Sequence, residues 1–79
     1  MSMGQVSSEE IEEAWTKVVV RLRAARISAK LSQQKLADRA GVTKAFISQV
    51  ESKNVNPSVV TIIRLAKGIG ISACELFED

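Results

Sequence analysis

The sequence has no histidine and no tyrosine, and only one cysteine, one proline and four glycines among its 79 residues. The lone Cys74 cannot form an intrachain disulfide, and without histidine a structural zinc site is close to excluded. We therefore expect a reduced, cytoplasmic protein with no metal and no cofactor. Because aromatic residues are also scarce, the core must consist of Val, Ile, Leu and Ala side chains. The shortage of turn-forming residues argues against a many-stranded sheet and favours packed helices.

Long apolar runs are missing as well. The longest strictly aliphatic run covers residues 18–20, which is far too short to span a bilayer. The first six residues lack the basic and apolar regions of a signal peptide, so we expect no membrane association. The sequence also lacks a glycine-rich phosphate loop and a nucleophile that can be matched to a base, so we do not expect an enzyme.

Charge is distributed unevenly along the chain. All eleven basic residues lie between Lys17 and Lys67, where only Asp38 and Glu51 are acidic, so this segment carries a net charge of +9. The other seven acidic residues lie within residues 9–13 and 75–79. A basic centre between acidic ends fits a surface that binds nucleic acid. An ordinary solvated surface explains the pattern equally well, so charge alone does not decide.

Capping signals and apolar spacing predict five helices. Ser7 and Glu10 read as a capping box for a first helix from about Ser8 to Ser28, long enough to bend or break near Lys17. Later helices are expected to begin after hydroxyl residues that can act as N-caps. These residues are Ser32, Thr43, Ser58 and Ser72.

The second and third helices are separated by a short turn that contains Gly41. A terminating glycine followed by the cap Thr43 forces the chain to turn sharply, and two short helices joined in this way form the geometric core of a helix-turn-helix. The third and fourth helices should bury one apolar side each. The inward residues are predicted to be Phe46, Ile47 and Val50, and then Val59, Ile62, Ile63, Leu65 and Ala66.

Six short blocks of sequence follow one another along the chain: LRAAR at 22–26, LSQQKLA at 31–37, AGVT at 40–43, FISQVE at 46–51, NPS at 56–58 and ISACELF at 71–77. With these blocks, residues 18–77 resemble the Cro/cI-type, or lambda-repressor-like (XRE), helix-turn-helix family. The resemblance implies an all-α, five-helix DNA-binding domain at residues 18–79. The segment at 1–17 lies outside the family pattern, and its capping box and apolar spacing predict a largely helical extension whose role is open. In this family the third helix enters the major groove and the second crosses the backbone.

Small free-standing members of this family include restriction–modification controller proteins, phage repressors and antitoxin-type regulators, and the resemblance does not choose among them. Outward side chains of the third helix are the candidates for base contacts. Lys44 can donate to guanine, Gln49 can pair with adenine, Ala45 offers a methyl group to thymine, and Ser48 is permissive. The resemblance places positions 44, 45 and 49 at the bases. The alternative is an ordinary exposed helix face.

Phosphate contacts are expected near the starts and ends of the same two helices. Gln33 opens the second helix, where backbone N–H groups favour a phosphate, and the resemblance assigns a phosphate contact to glutamine there. Thr43, Lys53 and Asn54 are weaker candidates, and Arg23 could equally remain solvated. The family usually has glycine at position 53, so we expect the left-handed residue to shift to Asn54, which tolerates that conformation better.

Arg26 and Glu51 have a structural role by resemblance, as an ion pair that links the first helix to the end of the third. We expect its loss to affect folding or positioning and to spare base preference. Trp15 is expected in the core or at an interface. Cys74 is expected to be a small buried hydrophobic residue of the fifth helix.

The sequence therefore predicts a transcriptional regulator that binds double-stranded DNA at a near-palindromic operator as a homodimer. Dimerisation is expected through the fifth helix, at Ile71, Leu76 and Phe77, with the Trp15 helix as the runner-up. The alternative is an antitoxin-like adaptor that binds a protein partner through its acidic ends. The outward polar residues of the third helix favour DNA, because such an adaptor would not require them.

Overall fold

The computed structural model describes residues 5–78, and within them it contains four α-helices, one 3-10 turn and no strand. The all-helical class is therefore confirmed. The fifth helix is a single 3-10 turn, in which the Glu75 N–H donates to the Ser72 carbonyl over three residues. The elements are α1 (Ser8–Ser28), α2 (Gln33–Ala40), α3 (Lys44–Glu51), α4 (Val59–Ile69) and the 3-10 turn (Ala73–Leu76).

Each element begins where the sequence predicted it, after a hydroxyl side chain that accepts a hydrogen bond from a backbone N–H group of the first turn. Ser72 and Glu75 form a complete capping box. At α1 only half of the box forms, since Ser7 accepts from the Glu10 N–H while the Glu10 carboxylate lies 3.4 Å from the Ser7 hydroxyl. The ends of α2 and α4 are set by Gly41 and Gly70, which adopt left-handed φ values of 72° and 97°.

The core lies between the second half of α1, the helices α2 to α4 and the 3-10 turn. Its centre is made of aliphatic side chains that are at most 2% exposed, as the scarcity of aromatic residues predicted. These residues are Leu22, Leu36, Ala37, Ile47, Val50, Ile62, Leu65, Ala66 and Leu76.

Three residues that were expected inside are exposed, two on α4 and one in the 3-10 turn. Val59 is 68% exposed and Ile63 is 39% exposed, although both were expected inside. Val59 is the first residue of α4 and lies one turn before the buried stripe that starts at Ile62, while Ile63 flanks that stripe. Cys74 is also exposed rather than buried, because the 3-10 turn directs Leu76 into the core instead.

α1 is one continuous helix across the predicted extension boundary, and it does not break near Lys17. It contains no proline or glycine, which are the usual causes of a kink. Its buried residues begin at Val18, and Trp15 packs partly buried against the core. Within residues 5–78, no helix is long and apolar enough to cross a membrane, and no three His, Cys, Asp or Glu side chains gather as a metal site.

Candidate nucleic-acid interface

The corner between α2 and α3 is built from backbone hydrogen bonds and one cap. Gly41 turns the chain in the left-handed conformation, and the Val42 N–H donates to the Ala37 carbonyl at 3.0 Å. The Thr43 hydroxyl then accepts from the Phe46 N–H at 3.0 Å and starts α3. These bonds fix both helix ends, and buried side chains of α2 and α3 in the shared core hold the two helices in this orientation.

α3 has one buried and one open side. Ile47 is 1% exposed and Val50 is fully buried, and Phe46 packs partly buried against the same core. The opposite side chains are all exposed, and they are the four predicted to contact bases. These are Lys44, Ala45, Ser48 and Gln49. Their exposure satisfies a requirement of base readout, and their contacts with DNA stay a prediction.

Arg26 and Glu51 join α1 to the end of α3 in a two-point ion pair. Arg26 Nε lies 2.6 Å from Glu51 Oε2, and Arg26 Nη2 lies 3.0 Å from Glu51 Oε1. A third guanidinium nitrogen donates to the Leu31 carbonyl at 2.7 Å. Arg26 is only 8% exposed, so the pair anchors elements inside the domain and is not itself available to DNA.

Gln33 is held by the same carboxylate, because its Nε2 donates to Glu51 Oε1 at 3.1 Å. Arg23 lies at the rim of this cluster, with its Nε 4.0 Å from Glu51 Oε1 and its side chain 63% exposed. The expected phosphate contact from Gln33 therefore requires a side chain that is already oriented by Glu51. Arg23 is the more accessible of the two.

Thr43 and Asn54 lie at the two ends of α3. The Thr43 oxygen serves the cap, which leaves its hydroxyl hydrogen free to donate to a further acceptor. The Asn54 N–H donates to the Gln49 carbonyl at 2.8 Å, and its side chain is exposed. Both residues therefore present polar groups beside the open side of α3, and their phosphate contacts stay predictions.

Lys53 departs from the expectation in two ways. It is Lys53 itself that takes the left-handed conformation, with a φ of 65°, and the predicted shift to Asn54 is wrong. The reason is the bond from the Asn54 N–H to the Gln49 carbonyl, which closes the helix end one residue earlier. The Lys53 ammonium also pairs with the Glu12 carboxylate and donates to Thr16 Oγ1 at 2.6 Å, so α1 already holds this predicted phosphate ligand.

The predicted dimer residues lie in different environments. Leu76 is 1% exposed and belongs to the core of its own chain, so its assignment to a dimer interface is wrong. The 3-10 turn packs Leu76 against α1 and α4. The sequence pattern of such a short element does not reveal this contact. Phe77 is 52% exposed, and Ile71 is partly buried against the core. Only these two of the three retain surface for a partner.

The HTH_3 helix-turn-helix family model matches residues 22–76 of this chain. The chain belongs to this family. The match begins at the buried Leu22 and ends at the buried Leu76, so it covers most of the packed domain and leaves out the whole exposed start of α1. The resemblance to Cro/cI-type proteins is confirmed.

Relatives and solved structures agree with this membership. The chain is 36% identical over 59 residues to the transcriptional regulator PuuR of Escherichia coli, covering 75% of this chain and 32% of PuuR. It is 33% identical over 51 residues to the immunity repressor of Bacillus phage phi105, covering 65% of this chain and 35% of the repressor. The chain thus spans about a third of the length of these relatives.

The match to one solved structure covers most of both chains. The restriction-modification controller protein C.AhdI from Aeromonas hydrophila has a TM-score of 0.75 and 36% identity, over 80% of this chain and 96% of C.AhdI. The hypothetical transcription factor NHTF from Neisseria has a TM-score of 0.78 and 23% identity, over 99% of this chain and 87% of NHTF. The second likeness is one of fold alone.

Proposed function

We propose that this protein is a transcriptional regulator that binds double-stranded DNA in a sequence-specific manner by placing α3 in the major groove. The observation that carries the proposal is the open side of α3, where four exposed side chains stand opposite a buried aliphatic side on a helix of fixed orientation. Regulators and a phage repressor among the relatives support the same conclusion. They do not favour the adaptor alternative.

Sequence preference would come from the open side of α3. Lys44 can donate to O6 and N7 of guanine, and Gln49 can form two hydrogen bonds with adenine. Ala45 would contact a thymine methyl group, and Ser48 would accept several bases. None of the four takes part in an ion pair within residues 5–78, so their functional groups need not break a strong contact to reach DNA.

Phosphate contacts would fix the register of α3 in the groove. Gln33 and Arg23 lie at the start of α2 and on the adjoining face of α1, and Thr43 and Asn54 lie at the ends of α3. Such contacts orient a protein on the duplex without reading its sequence. Lys53 could join them only by leaving Glu12 and Thr16.

We further propose that two copies bind a near-palindromic operator, with their α3 helices in successive major grooves about 34–36 Å apart. Ile71 and Phe77 are the predicted interface residues that retain exposed surface. Phe77→Asp should then convert dimer to monomer in sedimentation at high salt, where charge-dependent contacts between copies are screened, while circular dichroism stays unchanged. A dimer that persists would contradict this interface.

The first test is selection of bound duplexes from a random DNA pool at two salt concentrations. We expect a motif with two-fold symmetry and an affinity that falls steeply as salt rises. Lys44→Gln and Gln49→Ala should each weaken binding and relax preference at one position per half-site, by about tenfold or more. Lys17→Gln removes the same charge from α1 and should leave the motif unchanged. A pool that yields no motif would contradict the proposal.

A further inference from the structure

One side of α4 is exposed along most of its length and has no role in the proposed contact with DNA. Val60, Ile63, Arg64 and Lys67 follow the spacing i, i+3, i+4 and i+7, which places them on one side of the helix. Val60 is 67% exposed and Ile63 is 39% exposed, so apolar surface is open at the start of this side. The two cations follow it towards the end of the helix.

The end of α2 completes a groove with this side of α4. Arg39 and Ala40 form its second wall, and the groove has a volume of about 580 Å³. Arg39 Nη1 lies 3.4 Å from the Gly68 carbonyl, which holds the guanidinium at the rim. The helices approach closely here, because a Cβ atom at Gly68 would lie 3.0 Å from the Leu36 side chain. The groove is therefore a shaped feature of the α2–α4 packing.

Three positive charges surround the groove without an acidic partner. None of the ion pairs within residues 5–78 includes Arg39, Arg64 or Lys67. α4 contains no acidic residue, and the nearby Asp38 on α2 accepts a hydrogen bond from Gln34 at 2.9 Å. Two such grooves facing each other would bring like charges together. The groove instead fits an acidic helix that also carries apolar side chains.

The start of α1 is a helix of this kind. Glu9, Glu10 and Glu13 are exposed and form no ion pair within the described part of the chain. Ile11 is 59% exposed, and Ala14 follows it three residues later on the same side. The buried residues of α1 begin only at Val18, so these two turns lie on the surface of the domain, where Glu12 pairs with Lys53 and the other carboxylates stay exposed.

We propose that the α2–α4 groove of one copy binds the start of α1 of a second copy. Ile11 and Ala14 contact the apolar part of the groove at Val60 and Ile63. The adjacent carboxylates face the cationic rim, so the contact weakens as salt screens the charges. The start of α1 borders Phe77, whereas the groove does not include it, so changes in the groove distinguish this contact from the dimer proposed at Phe77. The contact does not depend on DNA binding.

Self-association of the full chain tests the contact directly. The protein carries Phe77→Asp, so that the dimer proposed at Phe77 does not contribute, and its weight-average mass is measured by sedimentation at two salt concentrations. We expect association that weakens in high salt, and at least a tenfold loss when R64E/K67E is added. The variant K30E/K35E makes the same charge change at exposed residues outside the groove and should associate like the Phe77→Asp protein. Absence of association in the Phe77→Asp protein, or an equal loss in both double variants, overturns the proposal.

A charge exchange tests the same contact between whole chains. The variant E10K/E13K has a basic α1 start and a basic groove, and R64E/K67E has an acidic α1 start and an acidic groove. Each should self-associate less than the parent, and mixing them should raise the weight-average mass in sedimentation. A mixture that equals the average of the separate samples overturns the proposal. Gln49→Ala should leave all these results unchanged, so failure of DNA binding and failure of this contact are distinguishable.

Discussion

The two halves of α1 belong to one continuous helix and are stabilised in different ways. The second half buries Leu22 in the core and Arg26 in a two-point ion pair with α3. The first half is exposed through Ala14, and its long-range ion pair joins Glu12 to Lys53 at the surface. A continuous helix therefore need not be equally stable along its length. One half anchors the domain, whereas the other is available for interactions outside it.

The second half of α1 should lose the most stability when one member of its buried ion pair is removed. Arg26→Met keeps much of the aliphatic side chain and leaves Glu51 inside without its main partner. We expect a loss of about 3–5 kcal/mol in the free energy of unfolding, because an unpaired buried charge is costly. Urea denaturation measures the change. Arg23→Met, which removes an exposed arginine from the same helix, should cost less than about 1 kcal/mol.

The same variant separates stability from recognition. If Arg26 serves structure alone, the folded fraction of Arg26→Met should select the same DNA motif as the parent at low temperature. A changed motif would mean that the pair also sets the position of α3 at the bases. Equal stability losses for the Arg26 and Arg23 variants would show that the buried pair does not anchor α1.

Apolar burial gives the second difference between the halves. Leu22→Ala should lower the free energy of unfolding by about 2–5 kcal/mol, since Leu22 is 1% exposed and its removal leaves a cavity in the core. Ile11→Ala in the first half and Val20→Ala in the second are matched controls, at 59% and 60% exposure. Both should change stability by less than about 0.5 kcal/mol. A large loss for Ile11→Ala would indicate that the start of α1 is packed in solution.

The features that could be predicted from the sequence are those set by residues close together in the chain. Caps such as Ser32 and Thr43 act within three residues, so their effect is visible in the sequence itself. The buried side of α3 follows in the same way from the spacing of Ile47 and Val50. These local rules were enough to fix the helix-turn-helix corner and the outward residues of the candidate site.

Features that depend on packing between distant segments were not predictable in this way. The sequence pattern could not tell that Leu76 turns into the core, because a single 3-10 turn has no apolar period of its own. It also could not pair Lys53 with Glu12, which lies 41 positions earlier in the chain. The groove beside Ile63 arises only when α2 and α4 pack, although the spacing along α4 was a signal that could have been noticed.

The surface ion pair between Glu12 and Lys53 should contribute little to stability. Glu12 is 62% exposed as a side chain, so Glu12→Gln should cost at most about 1 kcal/mol of folding free energy. It should also release Lys53, which lies just beyond the end of α3 and could then reach a phosphate. We expect operator affinity to rise about two- to fivefold at low salt, with the slope of log affinity against log salt steeper by up to roughly 0.9.

Two controls decide whether Lys53 carries that gain. Glu13→Gln removes the same charge from the next residue, which pairs with no cation in the described chain, and should raise affinity less. Adding Lys53→Gln to Glu12→Gln should return both affinity and salt slope to the parent values. If Glu12→Gln instead lowers affinity, the pair positions Lys53 for DNA rather than withholding it. The exposed half of α1 would then be part of the DNA-binding surface.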